Sequence, residues 1–458
     1  MYIIDGWYPA PREAWENGPM LQEGAPDMRL RMGKEHVVVR GITPEEKLWG
    51  PYQFPMPYKT DDRIVVSVDV HDDDLDYGDP KLWMESYDSG VTWRETDPAV
   101  AAECGLKLPN GDRLFFPMQS TIPLDDYTMP PQSTLTPGYD FTARAPEGTL
   151  PIPDGTTAWI NGQVIKAYLA ERLPASLAKK EWVAERILSG ETKPRKEIVP
   201  LDWPFLTHVV HILPDGKRFM KGIFPRGFPK LGPDGAIWVT AFSGEGHIDP
   251  ANGRYSPYYS AELFRSEDNG HSFRQHAHME YPADGGEYPY QSGGFSDSDI
   301  EFMTDGSMVW FLRSAWYAAT GNEVSPMYFS RSTDMGRTWT KPKVFAPTGI
   351  LPRLCRLANG VTLLCYARPG IYVQACADGK GLEWSEPLTV IPPDDRSMLA
   401  NKPHEPKTFH DWDGICGNPE LLALDDNSAL LFYCDFYYPD EVGVRRKTIL
   451  CRKITVES

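Results

Sequence analysis

Short apolar runs punctuated by turn residues recur along most of this chain. Phe302–Leu312 reads F-M-T-D-G-S-M-V-W-F-L, and Cys355–Tyr366 reads C-R-L-A-N-G-V-T-L-L-C-Y. Lys230–Thr240, K-L-G-P-D-G-A-I-W-V-T, and Leu422–Tyr433, L-A-L-D-D-N-S-A-L-L-F-Y, follow the same plan. Each is a strand, a tight turn and a second strand, because D-G, N-G and D-N pairs tolerate the positive φ of hairpin turns. Further strand-like runs stand, as third strands, at K-L-W-M-E before Ser86, A-E-L-F-R before Ser266 and M-Y-F-S-R before Ser332.

These third runs lead into one repeated phrase. It is S-Y-D-S-G-V-T-W at Ser86–Trp93, S-E-D-N-G-H-S-F at Ser266–Phe273 and S-T-D-M-G-R-T-W at Ser332–Trp339. A weaker copy, C-A-D-G-K-G-L-E-W, spans Cys376–Trp384. Repetition of a phrase implies repetition of a structural unit. The unit is a four-stranded antiparallel blade, and radial repetition of blades protects their edges in a β-propeller. Six blades are expected, near 52–98, 102–162, 207–278, 295–346, 350–392 and 415–456. Two P-D-G hairpin signals, at 214–216 and 233–235, leave seven as the alternative. The early strand Glu35–Gly41 is expected to complete the last blade and close the ring, after an N-terminal extension over 1–35. Val164–Leu188 breaks the pattern; its apolar spacing and charge content predict one or two helices, a small helical insertion at about 163–200 beside the second blade.

Composition fits an all-β chain: 39 Gly and 43 Pro supply turns, and 12% aromatic residues argue against disorder. The net charge of −18, from 64 acidic and 46 basic residues, argues against nucleic acid or an anionic membrane as partner. Seven cysteines show no C-x-x-C pair and lie largely in apolar runs, so buried free thiols are expected, as in a reducing compartment. The start, M-Y-I-I-D-G-W-Y-P-A-P, has neither a basic nor an apolar leader region. That is the pattern of a cytoplasmic protein, or of a secreted or periplasmic one whose leader has been removed. No apolar run is long enough for a membrane span. Oligomeric state is not legible.

The phrase S-x-D-x-G-x-x-W resembles the Asp-box, or BNR, repeat of the sialidase superfamily of six-bladed propellers. The resemblance covers most of 36–458 and is weakest over 112–206. It implies that Asp88, Asp268, Asp334 and Asp378 staple turns rather than catalyse. It also implies a site at one mouth of the central channel, lined by the starts of the innermost strands. Counting eight residues back from each hairpin Asp or Asn gives Gln53, Ala102, Arg226, Asp297, Leu351 and Asn418, with Glu103, Asp299, Arg353 and Glu420 beside them. Against the sialidase pattern, Gln53 in Y-Q-F-P stands where an arginine of the carboxylate clamp is expected. Asp297 matches the glutamate that supports the nucleophile, and Asn418 falls on the nucleophilic tyrosine. Loss of the clamp arginine and the tyrosine implies a substrate other than sialic acid.

Glycoside hydrolysis needs two carboxyl groups across the scissile bond. Asp297 is the first candidate. Its partner is Asp74 or Asp76 in the blade-one loop, D-V-H-D-D-D-L-D-Y-G-D, or else Glu420. Arg226 and Arg353 are candidates for a substrate carboxylate or sulfate, with Arg313 a weaker one. Tyr290, Trp316, His404 and His410 lie in aromatic and histidine-rich loops suited to packing on a sugar. The H-x5-H spacing of His404 and His410 is not a common ligand spacing, so neither metal nor cofactor is expected. The leading expectation is therefore an exo-acting glycoside hydrolase on a non-sialic sugar at the end of an oligosaccharide, its partner a carbohydrate substrate. A polysaccharide lyase is one alternative, with His410, Tyr433 or Tyr437 as base beside Arg226 or Arg353. A non-catalytic glycan-binding propeller is the other.

Overall fold

The structure is a computed structural model. It describes residues 28–42, 52–70, 81–115, 122–123, 136–137, 156–160, 163–169, 181–207, 209–212, 218–220, 223–243, 247–249, 254–256, 259–281, 294–314, 326–367, 370–392 and 417–457. Six units of four antiparallel strands account for the ring; four are separate sheets, and the second and third join into one eight-stranded sheet through a short parallel pairing of Leu201 and Asp202 with Phe273 and Arg274. Blade 1 runs Gln53–Lys59, Ile64–Asp69, Lys81–Ser86 and Arg94–Glu95. Blade 3 is Phe224–Leu231, Ile237–Phe242, Ser260–Ser266 and Phe273–Glu280. Blade 4 is Phe295–Phe302, Met308–Ser314, Met327–Ser332 and Lys343–Ala346, and blade 5 is Ile350–Arg356, Thr362–Ala367, Ile371–Cys376 and Leu388–Ile391. Blade 6 takes Glu420–Asp425, Ser428–Pro439 and Arg445–Glu457 and is completed by Arg29–Arg40, antiparallel to Arg445–Glu457. The closing strand thus begins at Arg29, inside the segment expected to be an extension.

Blade 2 differs most from expectation. Its strands are Leu106–Lys107, Arg113–Phe115, Glu181–Ile187 and Arg195–Asp202, so it reaches well beyond 162. The predicted helical insertion is a correction: within 163–200 the described residues form strands Gln163–Leu169, Glu181–Ile187 and Arg195–Asp202. In E-W-V-A-E-R-I burial alternates, with Trp182, Ala184 and Arg186 inward. Glu, Ala and Arg favour helices locally, but pairing on both sides overrides a weak propensity. The P-D-G at 214–216 does not start a seventh blade. The strands flanking it, Val209–Ile212 and Arg218–Met220, belong to an accessory sheet with Gln163–Leu169 and Thr156–Ile160.

Six apolar clusters hold the ring, one at each junction of neighbouring blades. Trp182 and Leu201 of blade 2 meet Val239 and Phe264 of blade 3. Trp238 and Leu263 meet Phe295 and Trp310 between blades 3 and 4. Phe311 meets Tyr366 and Trp384 between 4 and 5, and Leu363 and Val373 meet Leu431 and Leu450 between 5 and 6. Val66 and Met84 of blade 1 pack on Phe432 and Cys451 of blade 6, while Tyr58 and Trp83 join Cys104 and Phe115 of blade 2. This last pair of junctions closes the circle. Burial of these faces is the main stabilising term, at roughly 25 cal/mol per Å² removed from water. Cys104, Cys355, Cys365, Cys376, Cys434 and Cys451 are free thiols, all but Cys355 buried; Cys416 lies outside the described residues. No helix among the described residues is long and apolar enough to cross a membrane.

The repeated turns sit between the third and fourth strands, at the strand ends opposite the starts of the innermost strands. In the first, Asp88 Oδ1 accepts from Ser86 Oγ at 2.8 Å and Thr92 N at 2.9 Å, and Asp88 Oδ2 accepts from Thr92 Oγ1 at 2.6 Å. Trp93 Nε1 donates to Gly90 O at 3.0 Å, and its ring meets Phe432 of the neighbouring blade. Asp268 and Asp334 repeat the pattern. In the weak copy Cys376 Sγ replaces the serine hydroxyl, and Asp378 still collects the N–H groups of Lys380, Gly381, Leu382 and Glu383.

Candidate active site

The innermost strands begin around the channel at Gln53, Leu106, Phe224, Phe295, Ile350 and Glu420. Ala102 falls in a short 3-10 turn, Pro98–Glu103, rather than on an innermost strand. The mouth they surround is narrow, a cavity of about 60 Å³ lined by Phe54, Asp69, Arg226, Arg353, Asn418 and Glu420 among others. Past Arg353 and Glu420 the channel widens to about 560 Å³, walled by Tyr58, Phe115, Phe228, Lys230 and Leu422. Arg353 and Glu420 line both spaces.

Asp297 is buried in the innermost strand of blade 4. Its Oδ1 lies 3.0 Å from Arg226 Nε of blade 3, and its Oδ2 accepts from Arg313 of its own blade at 2.5 Å. Burial works to raise its pKa, but Arg226 and Arg313 outweigh that and hold the carboxyl at about 2. Glu420 pairs with Arg353 across blades 5 and 6, Nε to Oε1 at 2.5 Å. Here burial wins over Arg353, and Asp299 adds a like charge; the carboxyl rises to about 7. Two carboxyl groups that share one arginine as neighbour are thus pushed apart.

Asp69 ends the second strand of blade 1, buried at the mouth, 3.3 Å from Lys81. The blade-one loop leaves from this point. Deeper in, Lys230 contacts Asp299 at 3.1 Å, Glu301 at 3.2 Å and the carbonyl of Leu354 at 3.1 Å. Burial alone would lower its pKa, but Asp299 and Glu301 raise it. Asp299 also accepts from Leu354 N at 2.8 Å, tying blade 4 to blade 5.

The mouth is also where the backbone is strained. Tyr52, Phe54, Leu351 and Asn418 have φ of 55°, 51°, 47° and 59°. Such positions cost about 1–3 kcal/mol each and gather at functional sites. The other non-glycine residues of this kind among those described are Ser89, Asn269 and Met335, all in the repeated turns.

Solved structures of this architecture align over nearly the whole chain. A protein of unknown function from Dyadobacter fermentans matches with a TM-score of 0.52 at 17% identity, over 93% of this chain and 99% of that one. The Trypanosoma rangeli sialidase matches at a TM-score of 0.41 and 11% identity, over 94% of this chain and 60% of that one. The Penicillium chrysogenum α-L-arabinanase complexed with arabinobiose gives 0.44 and 11%, over 92% and 98%. The likeness to the Dyadobacter fermentans protein is of fold alone. No protein-family model and no curated protein matches the chain.

Of the expected site residues, the structure brings Gln53, Arg226, Asp297, Arg353, Asn418 and Glu420 to the innermost strands around the channel, with Arg313 beside Asp297. Tyr433 is a correction. It is fully buried in the second strand of blade 6, and its hydroxyl bonds Glu35 at 2.6 Å and Arg452 at 2.8 Å. Burial and Glu35 raise its pKa, so it is sealed into the closing seam rather than offered to a ligand. Glu103 faces Arg63 at 2.8 Å instead of the mouth. Asp74, Asp76, Tyr290, Trp316, His404 and His410 lie outside the described residues. Sequence reasoning missed Lys230, although a lysine in an innermost strand beside buried acids of the next blade was its one signal. Among the described residues no cluster of His, Cys, Asp and Glu could hold a metal ion.

Proposed function

We propose that the protein is a glycoside hydrolase whose chemistry takes place at the channel mouth, with Glu420 as proton donor. The observation that carries this is that Glu420, which lines the mouth cavity, is raised to about 7, while Asp297, buried behind Arg226, is held at about 2. Acid and base roles are commonly divided by environments that push two carboxyl groups apart. At neutral pH Glu420 is partly protonated, which suits a group that must give a proton to the departing glycosidic oxygen. Asp297 cannot share that task. Both its oxygens are engaged by arginines, so it positions Arg226 and Arg313.

Hydrolysis also needs a second carboxylate, either to take a proton from water as the water oxygen bonds to the anomeric carbon or to bond to that carbon itself until water displaces it. We assign this to the blade-one edge of the mouth, to Asp69 or to Asp74 or Asp76 on the loop that follows it. An exo-acting mode on a non-sialic sugar accords with the narrow mouth and with Gln53 and Asn418 at the innermost strand starts. The test is product analysis. The protein and its Glu420→Gln variant are incubated with neutral, sialylated and uronic-acid oligosaccharides, and products are read by mass and ultraviolet absorbance. A sugar released with the addition of water, lost in the variant, is the expected result. An unsaturated uronate would move the reaction to a lyase, and no product from any glycan would overturn the hydrolase.

A further inference from the structure

Asn418 is 4% exposed, yet neither its Oδ1 nor its Nδ2 has a hydrogen-bond partner among the described residues. A buried amide left unpaired costs about 1–3 kcal/mol, and most native structures avoid it. Its φ of 59° explains only part of its identity, since asparagine tolerates that backbone but glycine does so better. The neighbouring chain is anchored: Gly417 O accepts from Cys434 Sγ at 2.9 Å, and Glu420 begins the innermost strand. Asn418 is therefore held in place among the residues that line the mouth cavity.

We propose that Asn418 selects the substrate by gripping a neutral group that both donates and accepts a hydrogen bond, as two adjacent hydroxyls of a sugar ring do. An amide offers donors on Nδ2 and an acceptor on Oδ1. The acceptor decides the class. A carboxylate or sulfate has no hydrogen to give Oδ1 and would leave it unpaired, whereas a hydroxyl pair satisfies both atoms. The arginines of the mouth agree, because Arg226 and Arg353 already face Asp297 and Glu420. Size agrees as well: a cavity of about 60 Å³ holds roughly two waters' share of volume. That admits the substituents of one ring edge rather than a whole ring. The inference rests on the mouth being the glycan site but not on hydrolysis.

The test is binding of wild type, Asn418→Gly and Asn418→Asp to an array of neutral, uronic-acid and sulfated oligosaccharides, with melting temperatures taken alongside. Asn418→Gly relieves the backbone and removes the idle amide, so its melting temperature should equal or exceed wild type. Its binding to neutral glycans should fall roughly 10- to 100-fold, the loss of two hydrogen bonds in a dry site. Asn418→Asp keeps the shape and loses the donor; it should weaken neutral binding too, and it decides the matter if the glycine variant unfolds. Unchanged binding in either folded variant would overturn the proposal, as would a wild type that binds no neutral glycan. Hydrolysis is scored separately. Binding that depends on Asn418 without sugar release would sink the hydrolase alone, while release that ignores Asn418 would sink this inference alone.

Discussion

Asp334 and Asp297 belong to the same blade, and both carboxyls are held at about 2, yet by opposite means. Asp334 sits on an exposed turn, and its main support is local: the hydroxyl and N–H of Thr338 and the hydroxyl of Ser332. Asp297 is buried, and its support comes from Arg226 on the neighbouring blade and Arg313 on the next strand. The first arrangement is contained in eight consecutive residues, so it can be copied from blade to blade without reference to the rest of the molecule. The second exists only once the ring has closed. Structure that repeats is local here, and chemistry that does not repeat is tertiary.

The largest expected effect lies on the tertiary side. Glu420→Gln should lower the rate of sugar release by about 10²–10⁴, the usual worth of a general acid. Its stability at acid pH should change little, because glutamine resembles the protonated acid. Turnover on the substrate found by product analysis, with a melting curve, separates the two. Asp297→Asn comes next. It leaves Arg226 and Arg313 without their shared counter-charge, and breaking a buried pair costs about 3–5 kcal/mol. Denaturant unfolding of Asp297→Asn against Asp334→Asn sharpens the comparison directly, since the exposed turn should lose far less. Equal losses would break it.

The division also describes what could be read in advance. The hairpins were legible because their turns are local. Asp234, Asp305 and Asn359 each accept from a backbone N–H two residues on, before Gly235, Gly306 and Gly360 at positive φ. Blade 2 was not legible. Its inner hairpin ends at Phe115 and its outer strands resume only at Glu181, and no repeated phrase marks the turn between them. In the site, spacing from the hairpin aspartates lands within a few residues of each innermost start, which is why Gln53, Arg226, Asp297 and Asn418 were named. The partners were beyond its reach. That Arg313 shares Asp297 with Arg226, that Glu420 faces Arg353 and that Tyr433 spends its hydroxyl on Glu35 all depend on strands far apart in sequence.

Smaller effects follow from pH. Glu420 has a folded pKa of about 7, above the ordinary 4.5, so the folded state binds the extra proton; its contribution to stability is complete below 4.5 and is lost as pH rises through about 7. His278, buried against Glu262 at 2.9 Å and Glu280 at 3.3 Å, is raised to about 9 although burial opposes it. Its contribution is complete below 6.5 and lost as pH rises toward 9. Unfolding measured across pH should show both windows, and His278→Gln should remove the upper one alone. The smallest effect belongs to a single turn. Asp268→Ala should lower the melting temperature while leaving product release unchanged below the transition; a fall in turnover at constant stability would give the turn a role this account denies it.

The most direct test asks whether a buried carboxylic acid exists at the mouth near neutral pH. Infrared difference spectra of wild type minus Glu420→Gln, recorded across a titration, isolate the Glu420 carboxyl without any substrate. The expected result is a protonated band that disappears with a midpoint of about 7. A carboxylate already ionised at the ordinary glutamate value would contradict it and leave the mouth without its acid.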